Sequence, residues 1–187
     1  MPRFATLVGI CFVVAAAACS SSAKTSVSTS PTTSTITGIP VGPDSSTTAP
    51  GATTTKQCVG LKDTLPAGSP AMPLTAGPAP TTLGKQDLKV GTGAVVQPGA
   101  TVTANYVGVA CTTGKIFDSS YAHGQAVQFP LDQVIPGWTN GIPGMKVGGV
   151  RLLSIPADQA YGANPPQGAG IAPNEPLFFL VEITATS

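Results

Sequence analysis

The sequence predicts an α+β domain dominated by β structure: an antiparallel sheet with one short helix over its apolar face. Three observations carry this expectation. From residue 83 onward, short runs of β-branched and aromatic residues alternate with polar ones, as half-buried strands require. Turn signals built on glycine and proline separate those runs. Only one stretch has helical character, and a short sheet of this kind needs such a helix to cover its apolar side.

The elements follow in order. Residues 87–90 read Asp-Leu-Lys-Val and precede a Gly-Thr-Gly turn; Pro98-Gly99 makes the next turn. Residues 101–107 (TVTANYV) alternate and are β-rich. Thr113-Gly114 turns the chain, and residues 115–118 (KIFD) resume extended structure. Residues 127–129 (VQF) form a short strand. Val134-Ile135-Pro136-Gly137-Trp138 then opens the helix, expected over 138–145, where Gly141, Pro143 and Gly144 limit its length. Gly148-Gly149 turns into a strand over 150–155, and a long Gly/Pro loop leads to a closing strand over 177–184. Roughly 100 residues are enough for such a core.

Composition narrows the chemistry. The chain has 187 residues, a length for one globular domain with appendages, and a net charge of +1 with 9% charged residues. Nine basic residues against eight acidic ones leave no basic stripe for nucleic acid. A single histidine, His123, rules out a His-rich metal site and makes any Ser-His-Asp or Cys-His machinery depend on that one residue. Within its polar loop His123 reads as a solvated side chain, and Lys146 and Arg151 read as solvated charges. There is no P-loop or dinucleotide fingerprint.

The segment before the domain reads as an export and anchoring apparatus. Residues 1–18 have a positive start at Arg3, an apolar run over 7–18 and small residues before Cys19, the pattern of a signal peptide. The apolar run is too short to span a bilayer. The cysteine after small residues resembles a bacterial lipoprotein signal, which implies lipidation of Cys19; ordinary secretory cleavage at the same place is the alternative. Residues 19–55 form a stalk in which Ser and Thr supply 20 of the 36 residues from 20 to 55. Such a composition cannot offset the entropy of ordering, and it is also that of O-glycosylated stalks. Residues 56–82 read as an irregular Pro/Gly-rich extension, and the domain proper as 83–187.

Seven motifs in register, and a closing strand after them, carry a family resemblance. Asn105-Tyr106-Val107-Gly108, residues 114–120 (GKIFDSS) and residues 134–138 (VIPGW) begin the series. Residues 145–149 (MKVGG), Ile155-Pro156, residues 160–163 (AYGA) and 171–174 (IAPN) continue it, and residues 177–182 (LFFLVE) close it. Over roughly residues 84–185 the chain resembles an FKBP-type peptidyl-prolyl cis-trans isomerase. The resemblance implies a twisted antiparallel sheet half-wrapped around one short helix, with an apolar cleft between them. It implies Trp138 as the cleft floor, with Tyr106, Phe117, Val134, Ile135 and Phe179 as walls. Ile171 and Tyr161 would overhang the mouth, and Asp118 would be the lone carboxylate at the rim. Two departures stand out. Val127 occupies a position where the family usually has an aromatic residue, so one wall should be thinner. Residues 130–133 form a stretch shorter than is common, so the loop before Val134 should be tighter.

The chemistry needed agrees with that resemblance. Rotating an X-Pro bond meets a barrier of about 18–20 kcal/mol from amide resonance, and lowering it requires no nucleophile, cofactor or metal. A dry aromatic cleft suffices, with Tyr161 as a hydroxyl donor. The implied partners are proline-containing exported polypeptides and macrolide inhibitors of the FKBP-ligand class. No nucleic acid partner is expected, membrane contact would be through the N-terminal lipid alone, and a monomer is expected. A non-catalytic prolyl-binding or chaperone module on the cell surface is the alternative function. Localisation follows the signal: the outer face of the bacterial membrane, or secretion.

Cysteine arithmetic leaves one pair. Cys11 departs with the signal and Cys19 takes the lipid, so Cys58 and Cys111 face an oxidising compartment as a disulfide or as two free thiols. A disulfide would tie the extension to the strand after Tyr106. Without it, residues 56–82 are expected to hold too few apolar side chains to stay docked.

Overall fold

The computed structural model describes residues 56–187. The signal segment, Cys19 and the stalk lie outside the described residues.

In chain order, β1 (Gln57–Cys58) and β2 (Gly77–Pro78) form a small antiparallel ladder within the extension. The main sheet contains β3 (Gly84–Lys89), β4 (Thr101–Ala110) and β5 (Ile116–Ser119). After the one-turn helix α1 (Ser120–His123) come β6 (Val127–Pro130), the helix α2 (Pro136–Gly141), β7 (Val150–Ile155), a 3₁₀ turn at Ala157–Gln159 and β8 (Leu177–Thr186). The strand order is β3-β7-β8-β4-β5, every pair is antiparallel, and β6 also pairs with β4. This is the antiparallel α+β architecture expected from the sequence.

The free edge of β4 is shared. Its first half, Thr101 to Ala104, pairs with β6, and Val107 to Val109 pair with β5. Asn105 and Tyr106 fall in the gap between those partners, where α1 loops the chain away. That gap is where the site is built.

The helix α2 differs from expectation in both ends. It begins at Pro136 rather than Trp138, because proline's fixed φ suits the first helical position and costs no needed donor. It ends at Gly141, so the tract to Met145 is turn rather than helix. Gly137 allows α2 to lie directly on β7, since a Cβ there would come within 2.5 Å of Ile155 Cγ2. The loop before α2 is a tight turn, with Gln133 N–H donating to Pro130 O at 3.0 Å and Thr139 Oγ1 donating to Leu131 O at 2.7 Å.

The alternation of side chains sends two separate apolar sets to the two faces of the sheet. Val102, Ala104 and Tyr106 of β4 join Leu153 and Ile155 of β7 and Phe179, Val181 and Ile183 of β8 beneath α2. Val107, Val109, Val150, Leu152, Phe178 and Leu180 point the other way. That second face is not left to water. The extension crosses it as a strap and packs Leu61, Leu65, Met72, Leu74 and Ala79 against it. Its backbone is hydrogen-bonded to the β4–β5 connection, with Val59 N–H donating to Cys111 O and Lys62 N–H to Gly114 O. Cys58 and Cys111 are joined by a disulfide. The strap's apolar side chains thus meet a complementary surface, the back of the sheet, beside the disulfide.

Arg151 is a second correction. It is buried rather than solvated, 8% exposed, on the α2 side of β7. Its Nε and Nη2 donate to the two carboxylate oxygens of Asp87 at 2.6 and 3.0 Å, and Nη1 donates to Gly141 O at the end of α2. The guanidinium thus ties β3, β7 and α2 together. Its hydrogen bond holds the Asp87 carboxyl below its ordinary pKa of 3.8 against the opposing cost of burial.

Candidate active site

Tyr106 sits where the edge of β4 away from β8 has no strand partner, and three consecutive residues supply what the ladder does not. Ser120 Oγ accepts the Tyr106 N–H at 2.8 Å, and Ser119 Oγ donates to the Tyr106 carbonyl at 3.1 Å. The Tyr106 hydroxyl donates to Asp118 Oδ2 at 2.6 Å. Both serines are buried, whereas the Asp118 side chain is 45% exposed. So the Asp-Ser-Ser run holds one tyrosine at its amide, its carbonyl and its hydroxyl. A buried backbone group without a partner would be costly, which explains why hydroxyl side chains stand at the gap.

Around Tyr106 the aromatic rings pack edge to face. Trp138 lies 5.7 Å from Tyr106 and 5.3 Å from Phe179, centroid to centroid, with both ring pairs nearly perpendicular. Phe117 stands on Phe179 at 5.5 Å, also nearly perpendicular. Such arrangements set the positive edge of one ring against the negative face of the next. Trp138, Phe179 and Tyr106 are buried, whereas Phe117, Val134, Ile135, Tyr161 and Ile171 are half-buried against the same cluster. The structure thus brings together every side chain expected in the cleft, some buried and the others half-exposed around them. The indole Nε1 of Trp138 is buried and has no hydrogen-bond partner.

Phe129 is a member of the cluster that the sequence reading leaves out. Its ring lies 5.0 Å from Trp138 and 5.7 Å from Tyr106. Val127 and Phe129 are two residues apart on β6 and share a face, so the strand contributes an aromatic ring beside the valine. The period-two rule applied to Val127 would have pointed to it.

Electrostatically the site is quiet. Burial first, then the hydrogen bond to Asp118 and its charge, raise the Tyr106 hydroxyl well above its ordinary pKa of 10.0. Burial and the charge of Asp118 raise Tyr161 as well. Both phenols therefore stay protonated donors at neutral pH. His123 Nε2 lies 3.8 Å from Asp118 Oδ1 at the exposed end of α1. Among the described residues, no three His, Cys, Asp or Glu side chains cluster as a metal site.

An antiparallel sheet packed on a short helix, with a cluster of aromatic rings and a carboxylate at its edge, is the arrangement that the family resemblance implied, and comparison with known proteins shows the family. The FKBP-type peptidyl-prolyl cis-trans isomerase family model matches residues 93–184. The chain is 52% identical over 101 residues to a probable FK506-binding protein of Corynebacterium glutamicum, covering 54% of this chain and 83% of that one. It is 46% identical over 118 residues to the FK506-binding protein of Streptomyces anulatus, covering 62% and 95%. The crystal structure of FkpA from Escherichia coli superimposes with a TM-score of 0.52 at 42% identity, over 57% of this chain and 49% of FkpA. The chain belongs to the FKBP-type peptidyl-prolyl cis-trans isomerases.

Proposed function

We propose that this isomerase acts on proline-containing exported polypeptides by holding the twisted X-Pro amide in the cleft over Trp138. The observation that supports this most is the pairing of a buried aromatic floor with a half-exposed apolar rim. A planar amide is stabilised by water through its charge-separated form, so moving it into this cleft removes part of the 18–20 kcal/mol barrier. Binding the twisted amide better than either planar form removes more. Tyr106 spends its hydroxyl on Asp118, which leaves Tyr161 as the donor for a substrate carbonyl. Phe117, Val134, Ile135 and Ile171 exclude water, and no side chain needs to exchange a proton.

The test is a protease-coupled assay on peptides with an apolar residue before proline. Asp118→Ala is expected to lower kcat/KM by roughly tenfold, the worth of one charge-assisted hydrogen bond, with the fold retained because the carboxylate is half exposed. An FK506-like macrolide should compete with the peptide. Because Tyr106 and Tyr161 are both held protonated, the rate should show no phenolic titration up to about pH 10. Wild-type rates no faster than the uncatalysed background would refute the reading.

The same proposal extends to location. The N-terminal pattern supports an enzyme held at the outer face of the bacterial membrane by a lipid on Cys19. Cys19→Ala is expected to move the chain from the detergent phase to the aqueous phase, since each buried lipid CH₂ contributes about 0.8 kcal/mol. An unchanged partition would show that Cys19 is not the anchor.

A further inference from the structure

We propose that Lys56, at the start of the strap, is a positioning residue that sets the mouth of the cleft and thereby substrate affinity. The proposal rests on the isomerase reading above and adds a residue lying 27 positions before Leu83, where the sequence reading begins the domain.

Two polar side chains of the strap, Lys56 and Asp63, reach toward the site. Lys56 Nζ donates to the carbonyl of Asn174 at 2.7 Å and to that of Pro173 at 3.2 Å. It also lies 3.9 Å from the buried Glu175 carboxylate, whose oxygens accept the Thr112 N–H at 2.7 Å and its hydroxyl. These three residues form the turn that follows Ile171. Asn174 has a positive φ of 54°, the one such non-glycine among the described residues, and its N–H donates to Gly162 O at 2.7 Å. Gly162 follows Tyr161 directly. One turn therefore joins the strap to both residues at the cleft mouth, Ile171 on one side and Tyr161 on the other. Both pack against the aromatic cluster.

Asp63 grips the opposite lip. Its Oδ2 accepts the Ile116 N–H at 2.8 Å, one residue before Phe117 and two before Asp118. The strap thus fixes both segments between which a peptide must enter. A left-handed asparagine persists where its surroundings hold it, and here the lysine on its carbonyl supplies part of that hold. Releasing the turn lets Ile171 and Tyr161 spread over more positions than the bound one, so the peptide must order them on binding and affinity falls.

The experiment compares Lys56→Met with Lys56→Arg and wild type, as full-length chains in detergent, on a peptide series varying the residue before proline. Lys56→Met is expected to raise KM by about three- to tenfold with kcat changed by less than twofold, and Lys56→Arg to restore KM, because it keeps donors for both carbonyls. Hydrogen exchange at the Asn174 amide should accelerate in Lys56→Met while the melting temperature stays unchanged. Wild-type KM across the series in Lys56→Met, or a KM change that arginine does not restore, would overturn the proposal. Should the wild-type chain fail to isomerise at all, the isomerase reading falls and the proposal about affinity falls with it. Exchange at Asn174 then still reports whether Lys56 holds the turn.

Discussion

Gly108→Ala is expected to cut kcat/KM on the order of 100-fold, because the methyl group would land where two rings of the aromatic cluster already stand. Gly108 is opposite Asp118 on β5 and Phe179 on β8. A Cβ built on it comes within 2.5 Å of Phe117 Cζ and 2.9 Å of Phe179 Cε1. Real Cβ atoms do not approach so closely, so at least one ring has to move. The neighbouring rings cannot yield freely: Phe179 is wedged against Tyr106 and Trp138. Phe117 on the half-open rim is the ring expected to shift. Displacements of about 1 Å in a preorganised site cost about 10²-fold in rate, and overpacking a close-packed core costs about 1–3 kcal/mol in stability. Kinetics, together with near-ultraviolet circular dichroism of the packed aromatics, would measure both. Activity within twofold of wild type would show that Phe117 does not shape the reactive geometry.

The second large effect concerns the strap. Replacing both Cys58 and Cys111 by serine should lower stability by about 4 kcal/mol, from loss of a cross-link spanning 53 residues in the chain-entropy account. The strap should nonetheless stay in place. Met72 is buried, and Leu61, Leu65, Leu74 and Ala79 pack on a face that would otherwise be bare. A fully buried apolar side chain of this size contributes about 1.5–3 kcal/mol and a half-buried one less, so the contacts act together with the backbone bonds of Val59 and Lys62. Amide exchange at those two residues measures this directly. They should remain protected in the double variant until the whole domain unfolds. Fast exchange at both in an otherwise folded chain would mean that the disulfide alone holds the strap.

Most of the sheet was legible because its strands carry a period of two, and the members of the aromatic cluster were legible through motifs in register. What escaped did so for physical reasons. The start of α2 was misplaced because Ile135 at the cap has no side-chain hydrogen bond to mark it, and the signal lay instead in Pro136. The helix α1 is a single turn, too short for any periodicity to show. Arg151 looked solvated because its partner Asp87 lies 64 positions away, on a strand whose register the sequence does not give. The docking of the strap did leave a trace. Residues 177–181 read Leu-Phe-Phe-Leu-Val, an unbroken apolar run rather than an alternation, and such a run marks a strand covered on both faces. Phe129 was hidden only by attention to its neighbour, Val127.

The position of β8 has a consequence for how the chain is made. The last strand in the sequence is central in the sheet, bonded to β4 along one edge and to β7 along the other. As the polypeptide emerges from its N-terminus, every other strand is available before the one that must lie between them. Until Leu177 and the residues after it appear, β4 and β7 have no shared partner, and their apolar faces and unpaired edges stay open to other chains. Assembly therefore waits for residues 177–186, is dominated by pairings distant in sequence, and should run on the slow side for a domain of this size. For the exported enzyme proposed above, such an order would leave the central pairings of the sheet unmade until residues 177–186 have followed.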